Sequence, residues 1–134
     1  MNAVDTSVVV AGVASWHEGH RLARAILDQD PRLPAHCAVE AFSVLTRLPP
    51  PHRLAAGQAW QLLADRFRSP YLTLPAADCR RLLGSMATRA IRGGAVYDAL
   101  VAATVRRANA TLITRDHRAA ETYRRMDVSF DLIG

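Results

Sequence analysis

Lysine is missing from this chain: all seventeen basic residues among its 134 are arginine. Any mechanism that needs a lysine ammonium beside its substrate is therefore excluded. Cysteine is nearly absent. Cys37 and Cys79 stand far apart, in no metal-binding spacing, and read as reduced core thiols rather than a disulfide. No apolar run reaches the ~18 residues that cross a bilayer, so no membrane segment is expected. Met1-Asn2-Ala3-Val4-Asp5 lacks the basic region and cleavage site of a secretion signal, which points to a soluble, cytoplasmic chain. With no repeat, linker or low-complexity stretch, one domain over residues 1–134 is expected.

Half of the residues are hydrophobic, enough to build a core at this length without a staple. The net charge is +5. A GC-rich genome accounts for the arginine bias, and so does an anionic partner, since guanidinium forks pair with phosphate.

Hydrophobic periodicity predicts strands at Ala3–Asp5, Arg32–Ala35, Tyr71–Leu74, Thr111–Thr114 and Val128–Leu132, the fourth of them central. Between them come a helical turn over Val8–Gly12, capped by Thr6 or Ser7, and helices at Ser15–Gln29, Ala38–Leu48, Leu54–Phe67, Asp78–Ala90, Ala95–Arg107 and His117–Met126. Leu22 and Ile26 form one apolar stripe; Trp60, Leu63 and Phe67 form another. The triple proline Pro49-Pro50-Pro51 stops the third helical segment. This alternation predicts an α/β fold of three layers: a central, mostly parallel sheet with helices on both faces. Ligands of such sheets bind outside the carboxyl ends of the strands, where Asp5 and Asp116 fall.

Four carboxylates sit beside apolar sequence at element boundaries: Asp5, Glu40, Asp98 and Asp116. Desolvating such a group is costly unless a cation or donors compensate it. Asp98 lies in Ala95-Val96-Tyr97-Asp98-Ala99-Leu100-Val101-Ala102-Ala103, a helix apolar nearly all round. Each has a bland reading: Asp98 a helix-start acid favoured by the macrodipole, Asp5 and Asp116 caps, Glu40 a solvated first-turn acid. Together they describe an oxygen-only site of the kind Mg²⁺ or Mn²⁺ prefers. Histidine ligation is not expected: His17 and His20 read as exposed, His36 and His52 as isolated near turns, and His117 as a surface helix start.

Asp5-Thr6-Ser7 after the first strand, Glu40, Tyr97-Asp98-Ala99-Leu100-Val101-Ala102-Ala103-Thr104 and Leu112-Ile113-Thr114-Arg115-Asp116 resemble, in order and over essentially the whole chain, the acidic motifs of PIN-domain ribonucleases, and most closely the VapC toxins of type II toxin–antitoxin modules. The resemblance implies a Mg²⁺- or Mn²⁺-dependent endoribonuclease, a homodimer, an RNA substrate and a cognate VapB-like antitoxin. It also implies that Asp5, Glu40, Asp98 and Asp116 form the catalytic, metal-binding quartet, with Thr6, Ser7 and Thr114 as supporting hydroxyls. Asp5 and Asp98 are the expected direct ligands, with Glu40 and Asp116 completing the shell. Arg47, Arg53, Arg89, Arg92, Arg115 and Arg118 are candidates for holding phosphates, and Tyr97 for stacking a base.

Phosphoacceptor receiver domains and haloacid-dehalogenase-type phosphatases also carry acids on strand ends. Both use a lysine near the phosphoryl group, and the phosphatases need an aspartate where this chain has Ser7. A PIN-like module that binds RNA or protein without cutting is the remaining alternative.

Overall fold

A computed structural model describes all residues, Met1–Gly134. Three parallel strands form the sheet, in the order β1 (Asn2–Val4), β2 (Thr111–Thr114), β3 (Phe130–Leu132). β2 is central, and Leu112 and Ile113 are buried. Seven helices surround the sheet: α1 (Thr6–Val13), α2 (His20–Leu27), α3 (Ala35–Thr46), α4 (Ala56–Arg66), α5 (Ala76–Thr88), α6 (Ala95–Arg107) and α7 (His117–Arg125). α1 and α6 both pack on β2. α1 lies close against α2 because Gly12 has no side chain; a Cβ there would stand 2.3 Å from Leu27 Cδ1.

The expected strands at Arg32–Ala35 and Tyr71–Leu74 shrink to single bridges, Ala3 with Arg32 and Pro34 with Leu72. The sheet's hydrogen bonding still continues through them, as Arg32 N donates to Asn2 O (2.8 Å) and Leu72 N to Leu33 O (2.9 Å). Pro31, Pro34, Pro70 and Pro75 lack the N–H groups that a longer ladder requires.

Other departures follow from packing. The second helix is only α2, because Ser15–Gly19 forms turns. Its buried stripe is Ala23, Ile26 and Leu27, and Leu22 faces solvent. Trp60 is likewise exposed, leaving Ala59, Leu63 and Phe67 to bury the inner face of α4 and its end. Cys37 is a core thiol as expected, but Cys79 is exposed on α5.

Candidate active site

The chain emerges from β1 directly into α1, and Asp5 occupies the joint. Its carboxylate, not the hydroxyl of Thr6 or Ser7, is the N-cap of α1, with Ser7 N donating to Oδ1 at 3.1 Å. The Ser7 hydroxyl donates to the same oxygen. Oδ2 accepts from the Thr114 hydroxyl and, at 2.9 Å, from the Tyr123 hydroxyl on α7. Asp5 is 4% exposed. Burial raises its pKa despite four compensating hydrogen bonds, from Ser7, Thr114, Tyr123 and the Val8 backbone.

Ser7 and Thr114 tie this acid to the end of β2. Arg115 N donates to Ser7 Oγ (2.9 Å) and Asp116 N to Thr114 Oγ1 (3.0 Å). Asp116 then caps α7, accepting from Arg118 N (3.0 Å) and Ala119 N (3.1 Å). Its cap role and its place at the sheet edge coexist. Asp98 is half-buried in the first turn of α6. Desolvation first, then the charge of Asp116, push its carboxyl up to about 6; Arg118 opposes this, while Glu40 and Asp5 add to it. Glu40 falls in the second turn of α3, because Pro34 lets the helix begin at Ala35, and it is exposed.

All four acids, with Thr6 and Ser7, line one cleft of about 380 Å³ beyond the carboxyl ends of β1 and β2. No three Asp, Glu, His or Cys groups already close on a point as metal ligands would. The Thr6 hydroxyl is buried without a hydrogen-bond partner, so it stands apart from the Ser7–Thr114 relay. The donor set nevertheless fits a hard cation: four carboxylates, of which Asp98 is raised by burial and by the charges of the other three, hydroxyls beside them, and a Cys37 thiol that burial pushes up and keeps neutral.

Arg47, Arg115 and Arg118 line the same cleft. Arg53 instead donates to Leu48 O (2.9 Å), and Arg89 exchanges guanidinium-to-carbonyl bonds with Arg125. Arg92 is exposed and does not line the cleft. Arg115 makes no ion pair, and its buried Nε has no partner. Its guanidinium passes over Gly19, where an added Cβ would stand 2.5 Å from Cζ.

Three cleft residues escaped the sequence reading. Tyr123 is the buried aromatic of α7, and its phenol is pushed up by burial and by Asp5, which keeps it a donor. Its spacing of seven residues from Asp116, two helical turns, was the available signal. His36 lies in the first turn of α3, not in a turn, and its Nε2 is 3.8 Å from Glu40 Oε2. His17 lies in the turn after α1 and also lines the cleft.

Residues 3–125 match the PIN domain family. Ribonuclease VapC40 of Mycobacterium tuberculosis is 52% identical over 133 residues, covering 99% of each chain. Ribonuclease VapC27 of Mycobacterium tuberculosis is 42% identical over 127 residues, 94% of this chain and 92% of its own. Among solved structures, FitAcB from Neisseria gonorrhoeae superposes with a TM-score of 0.70 at 20% identity, covering 97% of this chain and 96% of its own. FitAB bound to an IR36 DNA fragment gives 0.73, also at 20% identity, covering 98% and 94%. These two likenesses concern the fold.

Proposed function

The chain belongs to the PIN-domain family, among its VapC-type ribonucleases, and from that membership we propose a divalent-metal-dependent endoribonuclease that acts as the toxin of a type II toxin–antitoxin module. The observation that carries this reading is the gathering of Asp5, Glu40, Asp98 and Asp116 in one cleft whose walls also present Arg47, Arg115 and Arg118. The acids would hold a divalent metal, and the arginines would hold the phosphates of an RNA backbone.

Asp5 and Asp98 are the proposed direct metal ligands, with Glu40 and Asp116 completing the set directly or through water. Mg²⁺ or Mn²⁺, when bound, supplies charge for the leaving oxygen and acidifies a water. Ser7, Thr114 and Tyr123 hold the Asp5 carboxylate in one orientation by donating to both of its oxygens. Glu40, the most exposed of the four, or Asp116 would take a proton from the attacking water. Asp116 keeps its register through the α7 cap.

Purified chain incubated with tRNA and rRNA pools tests the proposal. Fragments are expected with Mg²⁺ or Mn²⁺ and not with EDTA. Binding without fragments in any metal would instead favour the non-cutting RNA-binding module.

Arg115 is expected to hold one phosphate. Arg115→Ala should weaken RNA binding about five- to ten-fold and reduce the slope of log Kd against log salt by about 0.7, with the cut position unchanged. Fluorescence anisotropy across a salt series measures both, and an unaltered slope would remove Arg115 from the phosphate path.

Homodimerisation and capture by a VapB-like antitoxin belong to the same proposal. Val39 and Phe42 on α3 and Trp60 on α4 offer exposed apolar surface to such partners. Co-expression with the product of an adjacent small gene, followed by size-exclusion chromatography, tests this part separately from the nuclease.

A further inference from the structure

The ring of Tyr97 and the ring of His36 lie parallel, 7° apart, with centroids at 5.3 Å. The pair joins α6 to α3, the two helices that carry Asp98 and Glu40, and both rings line the acidic cleft. Tyr97 is 56% exposed, although His36 covers one of its faces. The open area therefore includes the other face, presented to solvent one residue before Asp98. A large aromatic ring left exposed beside a charged cleft gains nothing from the fold's core. Held by a stacked neighbour, it has already lost the rotamer freedom that binding a flat ligand would otherwise cost.

Within the ribonuclease reading on which this rests, we propose that the open face of Tyr97, backed by His36, is a stacking platform for the nucleobase next to the bond being cut. The cleft then takes an unpaired nucleotide and disfavours a duplex, because a base must leave its stack to lie on Tyr97. Stacking on an aromatic ring tolerates any base identity. The platform thus selects single-stranded loops rather than a sequence, and the cleft arginines fix the backbone on either side of it.

The test is a cycle between the side chain and the base. The full chain carries Asp116→Asn to stop cutting, since an asparagine still caps α7. In Mg²⁺, its affinity is measured for a 12-nucleotide single-stranded RNA spanning a bond that the wild type cuts. The same RNA is measured with one base removed at each position in turn. Removing one base beside the cut bond should weaken binding about ten-fold. Tyr97→Ala should weaken binding of the intact RNA by the same factor, and the two losses should not multiply. Tyr97→Phe should restore binding to within about two-fold of the parent, because it keeps the ring. Losses that multiply at every position overturn the platform and leave Tyr97 a brace between α3 and α6. Should Tyr97→Ala fail to fold, Tyr97→Leu keeps the apolar bulk without the aromatic face and enters the same cycle. A wild type that cuts no RNA in Mg²⁺ or Mn²⁺ overturns the ribonuclease reading before the cycle begins, so the two failures are distinguishable.

Discussion

Asp98→Asn is expected to lower kcat/KM roughly a thousand-fold, a loss of about 4 kcal/mol of transition-state stabilisation, and yet to raise the melting temperature of the metal-free protein. The two effects have one cause. Asp98 is half-buried, and the nearby charges of Asp116, Glu40 and Asp5 add to its desolvation, bringing its carboxyl to about 6 against an ordinary 3.8. An amide of the same shape removes that conflict and also removes the oxygen charge a cation requires. After discounting for the solvent that reaches this group and for Arg118 nearby, the relief is about 1 kcal/mol, or roughly 3–5 °C at this chain length.

The pH dependence follows in sign. Above pH 6 the folded chain carries an ionised carboxylate that it disfavours. As the pH falls through 6 toward 4, the folded state takes up the proton before the unfolded state does, and the penalty disappears. In EDTA, the wild type should therefore gain stability between pH 7.5 and pH 5 relative to Asp98→Asn. Calorimetry at both pH values, paired with cleavage assays in Mg²⁺, checks the prediction. Full activity with unchanged metal affinity would sink the assignment of Asp98.

How much of this was readable beforehand depends on the kind of signal. The central position of β2 and the strand-end placement of Asp5 and Asp116 follow from apolar runs that end at an acid, and those are local patterns. Leu22 and Trp60 lie outside the buried stripes of α2 and α4 because periodicity alone names a face without saying what covers it. Ala23, Ile26 and Leu27 win in α2 because Gly12 lets α1 approach on their side. Topology brings only Asp5 and Asp116 to one edge; the gathering of all four acids rests on the resemblance to PIN-domain ribonucleases. The relay through Ser7 and Thr114, and the Tyr123 bond to Asp5, span more than a hundred residues, so local spacing at most aligns Tyr123 with Asp116 and does not name Asp5 as its partner. Sequence periodicity starts this helix at Ala38, which leaves His36 in the preceding turn, whereas α3 begins at Ala35 behind Pro34. Moving that boundary to Ala35 puts His36 one turn before Glu40 and beside Tyr97.

Asp5→Ala is the substitution expected to cost the fold most among the four acids. Glu40 is exposed, so water absorbs its loss, and Asp116 is partly exposed, so its removal costs little beyond the α7 cap. Asp5 is buried and accepts from three side-chain hydroxyls and one backbone N–H. Removing it leaves the Tyr123 phenol, itself buried, facing no acceptor, and strips the cap from α1. A buried donor without a partner costs about 1–3 kcal/mol, and a lost cap about 1 kcal/mol. Losing Asp5's own desolvation penalty offsets part of this, because burial already raises its pKa. The net expectation is about 2 kcal/mol, a fall in melting temperature of about 7 °C, together with loss of cleavage. Tyr123→Phe separates the causes. It removes the phenolic hydroxyl, and as a single variant it leaves the Asp5 carboxylate and its other donors in place. In the Asp5→Ala background it should therefore recover about 1–2 kcal/mol of stability and none of the activity. Thermal melts of the single and double variants measure the coupling. A double variant no more stable than Asp5→Ala alone would mean that the phenol finds water once the acid is gone, and that Asp5 is held for its charge rather than for the packing around it.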